Sequence, residues 1–148
     1  MADTRCQVEC EDWVRDEWMP GQYGQPFYRR RLRLRSGGVF DFDAVSADES
    51  IVASISTSAA RTSSGKKGVG KLMKLRSDML FLLLAAPPRA LLVLTERDMY
   101  EQCVAEAKSG RVPLEIEFVL ATLPGDLAAR LATARLISSA EVQPRSSS

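Results

Sequence analysis

Histidine is missing from this chain. Its absence excludes serine and cysteine catalysis with an imidazole base, histidine acid–base chemistry near neutral pH, and zinc sites built with imidazole. Cysteine is scarce. Cys6, Cys10 and Cys103 are an odd three, which argues against a disulfide framework and for a reducing compartment. They are one thiolate short of a four-cysteine zinc site, so they read as small buried apolar residues. Long apolar runs are lacking too: the longest, Met79 to Ala86, is too short to span a membrane. The acidic N-terminus has no apolar core of a signal peptide. These absences lead to the expectation of a cytoplasmic protein without a membrane partner.

Global charge is lacking as well, at +1, so nothing in the total points to nucleic acid or membrane. The distribution is uneven. Residues 1–28 carry six acids against two basic residues, while Arg29 to Arg76 carries eleven basic residues against four acids. No acid occurs between Ser50 and Ser77. A basic middle on a near-neutral chain suggests one polar face with a purpose, against the commoner alternative of a solvated face. With 148 residues, 45% of them apolar, the chain has the size and core content of one domain, expected over residues 1–142. Gln143 to Ser148 is expected to be a disordered tail.

The pattern of apolar residues gives an order of elements. Asp3 to Met19 reads as an amphipathic helix with Cys6, Cys10, Trp13, Val14 and Trp18 inward, Glu11, Asp12 and Asp16 mostly outward, and Pro20-Gly21 as its end. Phe27 to Arg35, Gly38 to Val45 and Ile51 to Thr57 read as three antiparallel strands. Ser36-Gly37-Gly38 and Ser46 to Ser50 supply the turns. A polar loop, Ser58 to Gly68, is expected to be mobile, and Val69 to Ala86 is a helix stopped by Pro87-Pro88. Ala90 to Leu94 is continuously apolar, as in a central strand covered on both faces. Thr95 and Asp98 suggest a capping box for a helix ending near Gly110. Leu114 to Leu120 alternates as a half-buried strand, and Pro124 opens a last helix to about Ala140. The sum is a mixed α+β fold: an αβββαβ core with a mixed sheet flanked by helices, extended by a further αβα.

Period two places Asp41 and Asp43 on one face of their strand, and Ser54 and Ser56 on one face of the next. It also stacks Arg29, Arg31, Arg33 and Arg35 opposite Tyr28, Leu32 and Leu34. Four guanidiniums in a row grip phosphates, shield a sheet edge, or pair with neighbouring acids, among them Asp41, Asp43 and the first helix. Gly65-Lys66-Lys67-Gly68-Val69-Gly70-Lys71 fits half of a phosphate-binding loop. Leu72 stands where a magnesium-binding hydroxyl is required, and no strand leads directly into the glycines. The stretch is therefore a turn into a helix. Its lysines, with Lys74, can still meet an anion at the helix start.

The element order over residues 3–95 and the position of Asp43 resemble the PD-(D/E)XK, or restriction-endonuclease-like, superfamily. The resemblance implies an Asp on the second core strand and Glu-x-Lys on the third, the carboxylates binding Mg²⁺ that activates water. Asp43 matches that Asp. Ser54-Ile55-Ser56 occupies the Glu-x-Lys slot, so both functional positions are serine. The matching site is then Asp43, Ser54, Ser56 and Lys71, vestigial or migrated. Asp41 and Asp43 are the metal candidates, with Glu9 or Glu17 as an acid from the first helix and Lys67 or Lys71 as a displaced lysine. Arg29, Arg31, Arg33, Lys66, Lys67 and Lys74 are the nucleic-acid-binding candidates. The expectation is a degenerate, non-catalytic nuclease-like domain that binds DNA or RNA or serves an assembly handling them, with no cofactor. The alternatives are a homodimeric or protein-binding scaffold, and a divergent magnesium-dependent nuclease.

Overall fold

The computed structural model describes residues 5–61 and 68–142. The first helical stretch is one rod in three pieces: α1 (Arg5–Trp13), a π-helical segment (Val14–Trp18) and α2 (Met19–Tyr23). Its buried residues include Cys10, Val14 and Met19. Pro20 does not end the helix, contrary to the sequence expectation. A proline lacks the N–H of the α-helical ladder and its ring crowds the carbonyl four residues back. The wide turn just ahead, closed by the Met19 N–H on the Val14 carbonyl, accommodates it. The rod stops at Gly24, whose φ of 72° is the left-handed conformation a helix end favours.

Five strands follow as one sheet in the order β1-β2-β3-β4-β5: β1 (Phe27–Arg33), β2 (Val39–Ser46), β3 (Ile51–Ser56), β4 (Arg89–Leu94) and β5 (Ile116–Leu120). The first two pairings are antiparallel and the last two parallel. The parallel steps are made by α3 (Val69–Ala85) and α4 (Arg97–Lys108), and α5 (Gly125–Val142) closes the chain. The mixed sheet and the expected order of elements are thus observed.

Strand alternation divides the core into two layers. One holds Cys10, Val14, Ala44, Ala53, Ile55, Leu91, Val93 and Leu131, between the sheet and the first and last helices. The other holds Phe42, Val45, Val52, Leu75, Leu82, Leu92 and Met99, beneath α3 and α4. At about 25 cal/mol per Å² of apolar surface, full burial of a leucine or phenylalanine side chain contributes roughly 1.5–3 kcal/mol. Sandwiching the sheet between two helical layers is therefore what stabilises β4, buried at every position after Arg89.

Two local readings change. Thr95 and Asp98 form no capping box, because α4 starts one residue later with Glu96 as its N-cap. The Thr95 hydroxyl donates to Glu96 at 2.8 Å, and the Asp98 carboxylate accepts the Ala60 N–H at 3.1 Å. β5 begins at Ile116 rather than Leu114, which lies 98% exposed. The expected tail from Gln143 and most of the expected mobile loop, residues 62–67, lie outside the described residues. No helix among the described residues is long and apolar enough to cross a membrane.

Candidate functional site at the fork of β2 and β3

The site is made by an irregularity. Tyr28 pairs with Val45 and Arg30 with Phe42, so Arg29 on β1 stands against two residues of β2, Asp43 and Ala44. This is a β-bulge, one extra residue in β2. Phe42 and Ala44, two apart, accordingly fall in opposite core layers. On its other side β2 is in register with β3 only at Ala44–Ala53 and Val45–Val52. Beyond them the strands part, β2 staying with β1 and β3 with β4. In the mouth of this fork the Asp43 carboxylate accepts the Ile55 N–H at 2.8 Å. A side chain supplies the acceptor at the point where the β2–β3 register ends.

Charges reach the fork from both layers. Glu11 on α1 is held protonated to higher pH than an ordinary glutamate, first by burial and then by the negative charge of Asp43. Arg29 and Lys74 work in the opposite direction. Asp78 on α3 is likewise raised by burial and by Asp43, and lowered by Lys74, whose ammonium lies 3.4 Å from its carboxylate. Three carboxylates and two cations thus share one electrostatic environment around Asp43. Lys71 lies one helical turn before Lys74, its aliphatic chain covering Gly68, where an added Cβ would approach the Lys71 Cδ and the Ala60 carbonyl oxygen to 3.2 Å.

Several candidates stand elsewhere. Asp41 is the register partner of Arg31, and the two exposed side chains are joined at 3.1 and 3.4 Å. The guanidinium holds the Asp41 carboxyl below its usual range. Asp41 is therefore engaged in cross-strand pairing. Arg33 is exposed at the far end of β1, and Lys66 and Lys67 lie outside the described residues. Ser54 is buried, only 3% exposed, and the Ser56 hydroxyl accepts the Ser58 N–H at 3.3 Å. Glu9 is bonded to Arg130 of α5, and Glu17 is exposed.

The first-helix acid that meets Asp43 is Glu11, expected to point mostly outward. It lies three residues before buried Val14, on the flank of α1 beside the core. Asp78 stands immediately before the apolar run Met79 to Ala86. Its signal is positional: a carboxylate one turn after Lys74 in a helix that must pack. Among the described residues no group of three acidic or thiol side chains lies close enough to hold a metal ion. Comparison with protein-family models, curated proteins and solved structures found no match to this chain.

Proposed function

We propose that this chain is a nuclease-like domain that holds a nucleic-acid strand at the fork of β2 and β3 without cleaving it. The observation that carries this reading is the content of the fork. Arg29 and Lys74 bring cations into the surroundings of Asp43, while the neighbouring strand offers two serines, one buried and one bonded to backbone. The PD-(D/E)XK superfamily that the chain resembles carries Glu and Lys there. A serine hydroxyl is a weak neutral ligand for a hard dication and cannot replace the charge of a lysine. Cations without a catalytic pair favour binding over hydrolysis.

Labelled DNA and RNA on a native gel at low salt, with and without Mg²⁺ or Mn²⁺, test this. A shifted, intact band that fades steeply with added salt is expected. No affinity at low salt overturns the reading. Metal-dependent cleavage abolished by Asp43→Asn establishes instead a divergent nuclease. That alternative draws on the influence of Asp43 on both Glu11 and Asp78. It requires their carboxylates to close around an ion. A protein-binding or homodimeric scaffold is favoured by exposed Val69, Met73 and Leu80 along α3, and light scattering over a concentration series tests it.

A further inference from the structure

We propose that the open edge of β1 is a docking site for an extended acidic peptide, which adds to the sheet as a sixth strand. The edge shares Arg29 with the fork at Asp43, while Arg31 and Arg33 stand further along β1.

Among the described residues β1 is the terminal strand of the sheet and pairs only with β2. The Leu34 N–H donates to the Gly38 carbonyl at 2.8 Å, which fixes the phase of the hairpin. Antiparallel pairs alternate between bonded and non-bonded, so Arg31 and Arg33 turn their backbone N–H and C=O groups away from β2. Among the described residues nothing pairs with them along that edge.

The side chains select the partner. A second copy pairing antiparallel on this edge sets arginine against arginine, which repels. An arginine-rich edge is closed in this way to its own copies and to apolar strands, and it remains open to carboxylates. The sheet itself shows the accepted geometry. Asp41, across the ladder from Arg31, is held by two guanidinium nitrogens, and Glu49 meets Arg30 at 3.2 Å. Arg29 and Arg33 have no ion pair among the described residues. A strand on the outer edge with acids at alternate positions brings carboxylates to that same face. On the opposite face Tyr28, 47% exposed with the Arg30 guanidinium over its ring, offers a platform for the alternate apolar side chains.

The test is fluorescence anisotropy with a labelled peptide of about ten residues alternating Glu and Val, long enough to cover a strand. Three controls accompany it: a Lys-Val peptide, the Glu-Val peptide N-methylated at alternate amides, and a single-stranded oligonucleotide of equal charge. Expected are binding of the Glu-Val peptide at low salt, none of the Lys-Val peptide, and a loss of about tenfold or more on N-methylation, which keeps the charge but removes strand hydrogen bonds. Arg31→Pro, which deletes an outward N–H and leaves the β1–β2 bonds, should weaken binding similarly, and the double variant Arg31→Gln, Arg33→Glu, which spares the fork residue Arg29, should abolish it. The N-methylated peptide leaves the protein unaltered, so its result stands even where a variant fails to fold. Equal binding of the methylated and unmethylated peptides overturns strand addition. An oligonucleotide that displaces the peptide from β1 and is itself lost in the double variant reassigns the edge to nucleic acid. Absence of binding to any probe overturns the site.

Discussion

The Asp43 carboxylate and the Ile55 amide meet at 2.8 Å where β2 leaves β3, so one residue both pins the fork and brings charge to it. The two roles are separable by substitution. Asp43→Asn retains a carbonyl oxygen able to accept the Ile55 N–H, while Asp43→Ala leaves that amide unpaired at a cost of about 1–3 kcal/mol. Urea denaturation should show the alanine variant clearly less stable than the asparagine variant.

Removing the charge of Asp43 should also be felt by its neighbours. Burial and Asp43 together raise Glu11 and Asp78, so Asp43→Asn should move both carboxyl titrations down towards ordinary values. Carboxyl-detected NMR titration of the two side chains reads this directly. Lys74→Met should have the opposite effect, because its ammonium lowers both groups.

Stability against pH should carry two opposed acid limbs. A carboxyl raised in the folded state binds its proton more tightly than in the unfolded chain. For Glu11 and Asp78 this cost is complete above their folded values and disappears as pH falls to the unfolded values, 4.5 and 3.8. Asp48 has the reverse sign. Bonds from the Ser50 hydroxyl and N–H and from the Ser46 hydroxyl hold it down to about 2, so its stabilisation is complete above 3.8 and is lost as pH falls through about 2. Acidification from neutrality should first relieve strain and then unfold the chain, and Asp48→Asn should shift the final loss to higher pH in a thermal-melt series.

Thiol reactivity should divide the cysteines. Burial pushes the thiols of Cys10 and Cys103 up to about 12 and about 11, whereas Cys6 is only half-buried. A thiolate-specific reagent at pH 8 should label Cys6 first and the other two only on unfolding, as mass spectrometry of timed samples can follow.

Core truncation should discriminate between the faces of β2. Phe42 is fully buried and packs edge-on to Phe40, which stacks on Phe81 at a centroid distance of 4.0 Å. Phe42→Ala should cost about 3–5 kcal/mol, while Val39→Ala on the same strand, largely exposed, should stay within about 0.5 kcal/mol.

The sheet was legible because its strands are apolar or alternating runs bounded by turn residues and its crossovers are helices. Three features were not. Pro20 is read as a stop only on the assumption of α-helical bonding, which the π-helical turn suspends. Glu11 and Asp78 meet Asp43 only through the packing of two helices, and sequence spacing within either helix says nothing of that meeting. The bulge at Asp43 and Ala44 shifts the phase of β2 by one residue, so Phe42 and Ala44, two apart, fall in opposite layers where period two expects one. The expected cross-strand pairing was correct for Asp41 and Arg31, which lie beyond the bulge, where period two still holds.

The brevity of the β2–β3 ladder also has a mechanical meaning. β1 and β2 share six register pairs and β3 and β4 share six, whereas the seam between the two blocks has two. The chain is built as a leaf, residues 27–46, hung on a parallel slab. Pulled apart by its ends, it should tear first along that seam, and amides of the leaf should exchange with deuterium before those of β4.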